Sequence, residues 1–239
     1  MATTPSPSTG GSGWSDNADS ALSAKSLSAM ARSMYTEGPF LLRTLQHFRP
    51  FICPFERLIG HIPEGSRVLD VGCGAGLLLS LAAARGRQFL GLGFDVSPMA
   101  IELAKTMTKR AMVIRPQAQL SFERLDVDAT WPAGLFDVVF LIDVMHHVPP
   151  ASQHSLVKRV ISKVKPEGTL VYKDMCLRPW WKAQANRLQD LIVARELINY
   201  VPVETVENWA GAEGMQVVLS EDMSRFWCGH ELRVMRRPG

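Results

Sequence analysis

From Arg67 onward, short aliphatic or β-branched runs alternate with stretches whose apolar residues recur at helical spacing. The runs predict strands over 67–71, 88–94, 119–125, 137–142 and 168–173, separated by helices near 77–85, 98–110 and 151–164. Such alternation is the signature of parallel βαβ units, so the fold class is α/β with a doubly wound, Rossmann-like sheet. Val138-Val139-Phe140-Leu141-Ile142 is apolar without interruption, as a central strand covered on both faces requires. Ser97-Pro98 is a helix start, because the hydroxyl caps an orphan amide and proline tolerates the first helical position. A helix over 203–213, a turn at Gly214 and strands over 215–220 and 228–235 add a terminal antiparallel hairpin, for seven strands in all.

Three segments lie outside this alternation. Residues 20–62 read as a helical cap of two or three short helices, with Phe40, Leu41, Leu45 and Phe48 at helical spacing. Residues 176–200 read as a helical insertion after the fifth strand, whose stripe of Leu188, Leu191, Ile192 and Ile198 either packs on the domain or forms a lid. Residues 1–19, rich in Ser, Thr, Pro and Gly, read as a disordered tail without the features of a signal peptide. The remaining 63–239 would form the main domain.

Composition narrows the class without naming it. The 239 residues suit one large domain with appendages, and 46% hydrophobic with 21% charged residues is ordinary for a globular protein. The net charge of +3 is mild, and Lys158, Arg159, Lys163 and Lys165 read as a solvated helix face rather than a nucleic-acid stripe. Cys53, Cys73, Cys176 and Cys228 form no C-x-x-C pair, which argues against zinc or disulfides and for a reducing cytoplasm. No apolar run approaches the roughly 20 residues that span a bilayer, so a soluble protein is expected.

The chemistry is carried first by Val68-Leu69-Asp70-Val71-Gly72-Cys73-Gly74-Ala75-Gly76, a strand that ends in a glycine-rich turn and opens into a helix. Glycines there permit a tight turn and close approach of a ligand, and the helix start offers free amides. Asp95 lies 21 residues after Gly74 at the end of the next strand, where a carboxylate can accept both ribose hydroxyls of an adenosine. The glycine spacing is G-x-G-x-G rather than G-x-G-x-x-G, and Asp70 precedes it. An acid beside the loop suits a ligand carrying an ammonium and a sulfonium, not a pyrophosphate.

Over roughly 67–173 the sequence resembles the class I S-adenosylmethionine-dependent methyltransferases, whose first motif reads much like Leu69-Asp70-Val71-Gly72-Cys73-Gly74-Ala75-Gly76. The resemblance implies that Gly72, Cys73, Gly74 and Gly76 lie along the methionine moiety of S-adenosyl-L-methionine, with Asp70 on its amino group. Asp95 would hold the ribose and Val96 would pack beside adenine. The adenine-reading acid falls at Asp126, with Val127 beside it; Asp128 is the alternative. Ile142 and Asp143 would form the cofactor floor, and Tyr35 would lie over the cofactor. His146 and His147 stand near the predicted active edge, where either can serve as a base if the nucleophile is protonated, or be an ordinary packing or solvated histidine. Lys173, Asp174 and His230 read as structural, and Trp180, Trp181, Phe226 and Trp227 as core or pocket lining.

The Asn/Asp-Pro-Pro-aromatic motif of nucleobase amino methylation is absent around Pro149-Pro150, as is the double-glutamate hairpin of arginine methylation. The expected acceptor is therefore a small or amphiphilic molecule, methylated on O, N or C, with no nucleic-acid partner. Two other readings stay open: a non-catalytic protein that keeps the cofactor fold as a partner subunit, and an NAD-dependent oxidoreductase.

Overall fold

The computed structural model describes residues 23–114, 118–126, 128–175, 199–225 and 228–239. The expected tail, most of the 176–200 insertion, and Val127, Trp180, Trp181, Phe226 and Trp227 lie outside the described residues. In chain order the elements are α1 (Ala24–Met34), α2 (Phe40–Ile52), α3 (Phe55–Gly60), β1 (Ser66–Val71), α4 (Leu77–Ala84), β2 (Phe89–Asp95), α5 (Pro98–Ile114), β3 (Gln119–Arg124) and β4 (Phe136–Ile142). A 3-10 turn at Met145–His147 follows, then α6 (Pro150–Ser162), β5 (Val164–Met175), α7 (Val203–Ala212), β6 (Gln216–Arg225) and β7 (Cys228–Arg236).

The seven strands form one sheet in the order β3-β2-β1-β4-β5-β7-β6. The first five are parallel, and β7 runs antiparallel to both β5 and β6. The strand order reverses between β1 and β4, and in open α/β sheets the crevice beyond the carboxyl ends of such neighbours is where ligands bind.

Side chains of β4 explain its unbroken apolar run. Val138, Phe140 and Ile142 enter one apolar layer with α4, α5 and the first three helices, while Val139 and Leu141 enter the opposite layer with α6 and α7. Helix α4, Leu77-Leu78-Leu79-Ser80-Leu81-Ala82-Ala83-Ala84, is buried at every position. A helix that is apolar all round needs cover on its outer face as well. Leu27, Ala31, Met34, Phe55, Leu58 and Ile59 from α1 and α3 share its core and supply that cover. The Ser97 cap forms as expected, its hydroxyl accepting the Ala100 N–H at 3.2 Å.

The structure moves several boundaries. β5 begins at Val164 rather than 168, because α6 stops at Ser162 and the chain enters the sheet through a turn in which Glu167 takes a φ of 61°. β6 extends to Arg225, since its ladder with β7 continues through Ser224 and Arg225. The basic cluster is not one solvated face. Lys158 is exposed and pairs with Glu213 at 3.1 Å, whereas Arg159 lies 4.7 Å over the Trp131 ring and donates to Ala129 O. Lys163 and Lys165, beyond the helix end, bind Pro132 O and Asp137. Among the described residues no helix is long and apolar enough to cross a membrane.

Candidate active site

The turn after β1 is built by glycine. Gly72, Gly74 and Gly76 take φ values of 70°, 53° and 71°, a region that side-chain-bearing residues rarely occupy. Gly72 has a second constraint, since a Cβ there would lie 2.4 Å from a Val144 methyl. Gly72→Ala is expected to cost about 1–3 kcal/mol of stability through strain and displacement of Val144; equilibrium urea unfolding against the parent protein measures it, and an unchanged midpoint contradicts this placement.

Backbone bonds weld this turn to β2. The N–H groups of Gly72 and Cys73 both donate to Phe94 O, at 2.9 and 3.0 Å. Asp95 adds its carboxylate, with Oδ2 accepting from Gly74 N and Oδ1 from Ser97 N, each at 2.9 Å. Each oxygen keeps a second lone pair, so the half-buried carboxylate can still accept from a pair of ligand hydroxyls. Val96 beside it is 53% exposed, an apolar surface open to a flat ring. Asp126 and Asp128 are both exposed after β3; Asp126 Oδ1 accepts the Asp128 N–H at 3.2 Å, so Asp126 organises the turn that holds the other.

Asp70 is 3% exposed beneath the turn, and burial pushes its carboxyl up to about 7; Arg49 opposes that shift and Asp95 adds to it. Burial likewise pushes the Cys73 thiol up, with Asp70 and Asp95 reinforcing it, so Cys73 is packing rather than a nucleophile. Ile142 is buried in the apolar layer. Asp143 follows it with a φ of 55°, a left-handed conformation that aspartate tolerates better than most residues. Tyr35 does not face a ligand: it is fully buried, and its hydroxyl donates to Ala75 O at 2.7 Å, latching the first helices to the glycine turn.

Three groups meet here without a local signature in the sequence. Arg49 of α2 places Nη2 3.3 Å from Asp143 Oδ2, and its Nη1 lies 3.8 Å from where a Gly74 Cβ would be, so the guanidinium hangs over the glycine turn. Lys173 of β5, only 1% exposed, donates to Asp143 Oδ1 at 2.5 Å. Burial alone would push the Asp143 carboxyl up, but Lys173 and Arg49, then His230 and His146, overcome it and hold the group well below the usual carboxylate range. His146 and Asp174 form the third pair, Nδ1 to Oδ1 at 2.5 Å, both nearly sealed from solvent. His147, the next residue, is exposed, and the two rings meet with centroids 4.1 Å apart and planes tilted by 47°. The two histidines of the motif thus have different environments.

An amino-acid zwitterion fits this donor set. A buried acid below the glycine turn matches an ammonium, and a guanidinium above it matches a carboxylate, while Asp95 and Val96 offer a diol acceptor and an apolar rest for a base.

Comparison with known proteins agrees with that geometry. Residues 44–220 match the family described as "Methyltransferase domain". A ubiquinone biosynthesis O-methyltransferase of Neisseria meningitidis serogroup C is 29% identical over 166 residues, 68% of this chain and 64% of that protein. One from Acinetobacter baumannii strain ACICU is 35% identical over 115 residues, 48% of this chain and 46% of that protein. The chain thus spans about half to two thirds of the curated relatives it matches. Among solved structures, an O-methyltransferase family protein from Burkholderia thailandensis superposes with a TM-score of 0.68 at 17% identity, over 92% of this chain and 64% of that one. Magnesium protoporphyrin IX methyltransferase from Synechocystis PCC 6803 with bound S-adenosylhomocysteine gives 0.62 at 18% identity, over 89% and 95%. These likenesses show the same sheet, and with most of its length inside the family match the chain belongs to the class I S-adenosylmethionine-dependent methyltransferases.

Proposed function

We propose that the protein transfers the methyl group of S-adenosylmethionine to an oxygen of a small or amphiphilic acceptor in the cytoplasm. The observation that carries this reading is the Asp70–Gly74–Asp95 constellation at the point where strand order reverses, with Asp95 already bonded to Gly74 N at 2.9 Å. In that site Asp70 receives the cofactor's ammonium and Arg49 its carboxylate. Gly72, Cys73, Gly74 and Gly76 form the cradle, Asp95 takes the ribose hydroxyls, and Val96 with Asp126 flanks the adenine; Ile142 and Asp143 close the floor. Oxygen is favoured over nitrogen or carbon because the curated relatives named above are O-methyltransferases.

The cofactor supplies a methyl carbon already activated by the sulfonium. The chain's part is to hold donor and acceptor in line and to keep water out. Asp70 contributes most when ionised, and a bound ammonium would draw its carboxyl back down.

Calorimetric titration with S-adenosylmethionine, S-adenosylhomocysteine and NAD tests the reading. Micromolar binding of the first two alone supports it; binding of NAD alone, or of none, overturns it. Arg49 gives a sharper arm. Arg49→Gln is expected to weaken S-adenosylhomocysteine binding by about tenfold or more, one charge-assisted hydrogen bond pair, while leaving 5′-methylthioadenosine, which lacks the carboxylate, nearly unchanged. Equal losses for both ligands would remove Arg49 from this role.

A further inference from the structure

Residues 125–135 carry the chain from β3 to β4, and basic side chains hold them by their carbonyl oxygens. Arg159 of α6 donates to Ala129 O, Lys163 to Pro132 O at 2.7 Å, and Arg67 of β1 to Ala133 O and Leu135 O at 2.9 and 3.2 Å. Two members of the basic cluster thus serve the segment that follows Asp126, and they hold different parts of it. Lys163 and Arg67 grip its far end, next to β4. Arg159 grips the turn that contains Asp126 itself. That turn begins where Leu125 N donates to Asp95 O at 3.1 Å, and it closes where Ala129 N donates to Asp126 O at 3.1 Å. Ala129 is therefore held at both backbone polar atoms, its amide by Asp126 and its carbonyl by Arg159.

Arg159 makes a second contact, which couples this turn to the end of β2. Its guanidinium carbon lies 4.7 Å from the centre of the Trp131 ring, a side chain only 4% exposed. The Trp131 ring meets Phe94 edge to face, with centroids 4.9 Å apart and planes at 60°. Phe94 immediately precedes Asp95, and its carbonyl takes the Gly72 and Cys73 amides. A planar guanidinium rests on a ring and donates from its edge at the same time, a geometry that a point-like ammonium does not reproduce. One side chain thus holds the turn bearing Asp126 in a fixed relation to the strand end bearing Asp95.

We infer that Arg159 is a positioning residue that sets the purine selectivity of the site, by fixing the Asp126 carboxylate where the amino group of an adenine falls. The inference rests on the methyl-transfer reading above and deepens it, because it separates recognition of the base from recognition of the amino-acid end by Asp70 and Arg49. Asp126 Oδ1 accepts the Asp128 N–H at 3.2 Å, so the same turn also fixes the direction of the carboxylate. An ionised carboxylate is an acceptor only. It bonds to the 6-amino group of adenine and is opposed by the 6-oxo group of hypoxanthine, the base formed when oxygen replaces that amino group. Such discrimination needs the carboxylate held in place. On a loosened turn it swings away from the oxo group, and the two bases bind alike.

Calorimetric titration of the folded protein with S-adenosylhomocysteine and S-inosylhomocysteine tests this without any need for turnover. The parent protein is expected to favour the adenine ligand by about tenfold or more, the worth of a hydrogen bond to a charged group. In Arg159→Met that preference is expected to shrink to about threefold or less, through weaker binding of S-adenosylhomocysteine. Arg159→Lys keeps the charge without the flat edge, so its preference is expected to fall between the two; it also serves where the methionine variant does not fold. Lys163→Met, which frees only the far end of the segment, is expected to keep the parental preference. An unchanged preference in the Arg159 variants, equal losses for the two ligands, or the same collapse in Lys163→Met overturns the inference. A parent protein that binds both ligands alike overturns it too and leaves the methyl-transfer reading standing. Failure of the parent protein to bind either ligand removes both.

Discussion

Lys173→Met is expected to lower the thermal unfolding midpoint by roughly 6–20 °C, from a loss of about 3–5 kcal/mol when one member of a buried ion pair is removed. The side chain is 1% exposed and its ammonium touches Asp143 Oδ1 at 2.5 Å, whereas Arg49 reaches the other oxygen only at 3.3 Å. Without Lys173, Asp143 keeps its burial but has only the longer, half-exposed bond to Arg49 close by. Removing both charges should hurt less, so Lys173→Met combined with Asp143→Asn is expected to recover much of the deficit.

The pH dependence has a definite sign. Asp143 is lowered in the fold, so its contribution is present above the unfolded carboxylate value near 3.9 and fades only as pH falls through the still lower folded value. Lys173 is raised despite burial, chiefly by Asp143, so its contribution is present below about 10.4 and fades as pH climbs through the higher folded value. The pair therefore contributes fully across the neutral range. In Lys173→Met, burial gains the upper hand over Asp143 and favours its neutral form, which makes the deficit largest at alkaline pH and smaller toward pH 4. Scanning calorimetry at pH 4, 6 and 8 checks this; a deficit that grows on acidification contradicts it.

Asp95→Ala is expected to weaken S-adenosylhomocysteine binding by roughly 10- to 150-fold, the equivalent of about 1.5–3 kcal/mol for hydrogen bonds to a charged group. The loss has two sources. The ribose hydroxyls lose their acceptor, and the Gly74 and Ser97 amides lose the carboxylate that holds the turn in shape. Asp95→Asn separates them, because its single carbonyl oxygen can satisfy one amide while its NH2 group opposes the other; an intermediate affinity is expected. Calorimetry of the three proteins decides, and an unchanged constant in Asp95→Ala would remove this residue from the site.

What could be read from the sequence was whatever chemistry lies contiguous along it. Asp70, the three glycines and the cap at Ser97 sit within a few residues of the turns they build, so strand pattern and glycine spacing sufficed to locate them. Which residues meet across the fold is not legible in the sequence. Arg49 reaches Asp143 over a separation of 94 residues, Lys173 reaches it over 30, and Asp174 meets His146 over 28. These pairings depend on β5 lying beside β4 and on α2 passing above the glycine turn, and no periodicity in the chain encodes either. Lys173 and Asp174 read as ordinary strand-end residues for the same reason. Distance along the chain points Tyr35 toward the cofactor, yet the need to bury α4 draws it inward, where its hydroxyl bonds to backbone.

β7 follows every other strand along the chain, yet it lies between β5 and β6 and sets Leu232, Glu231 and His230 opposite Lys173, Asp174 and Met175. A nascent chain can therefore assemble the whole parallel half of its sheet on the ribosome while β5 is still an open edge bathed in water. Lys173 and Asp143 can meet as a hydrated pair at that stage. β7 then sets the buried Leu232 beside Lys173, adding to the cover that α2 already gives the pair through Arg49 and Cys53. Until then the exposed edge of β5 offers unpaired amides and carbonyls, an edge on which another strand can pair.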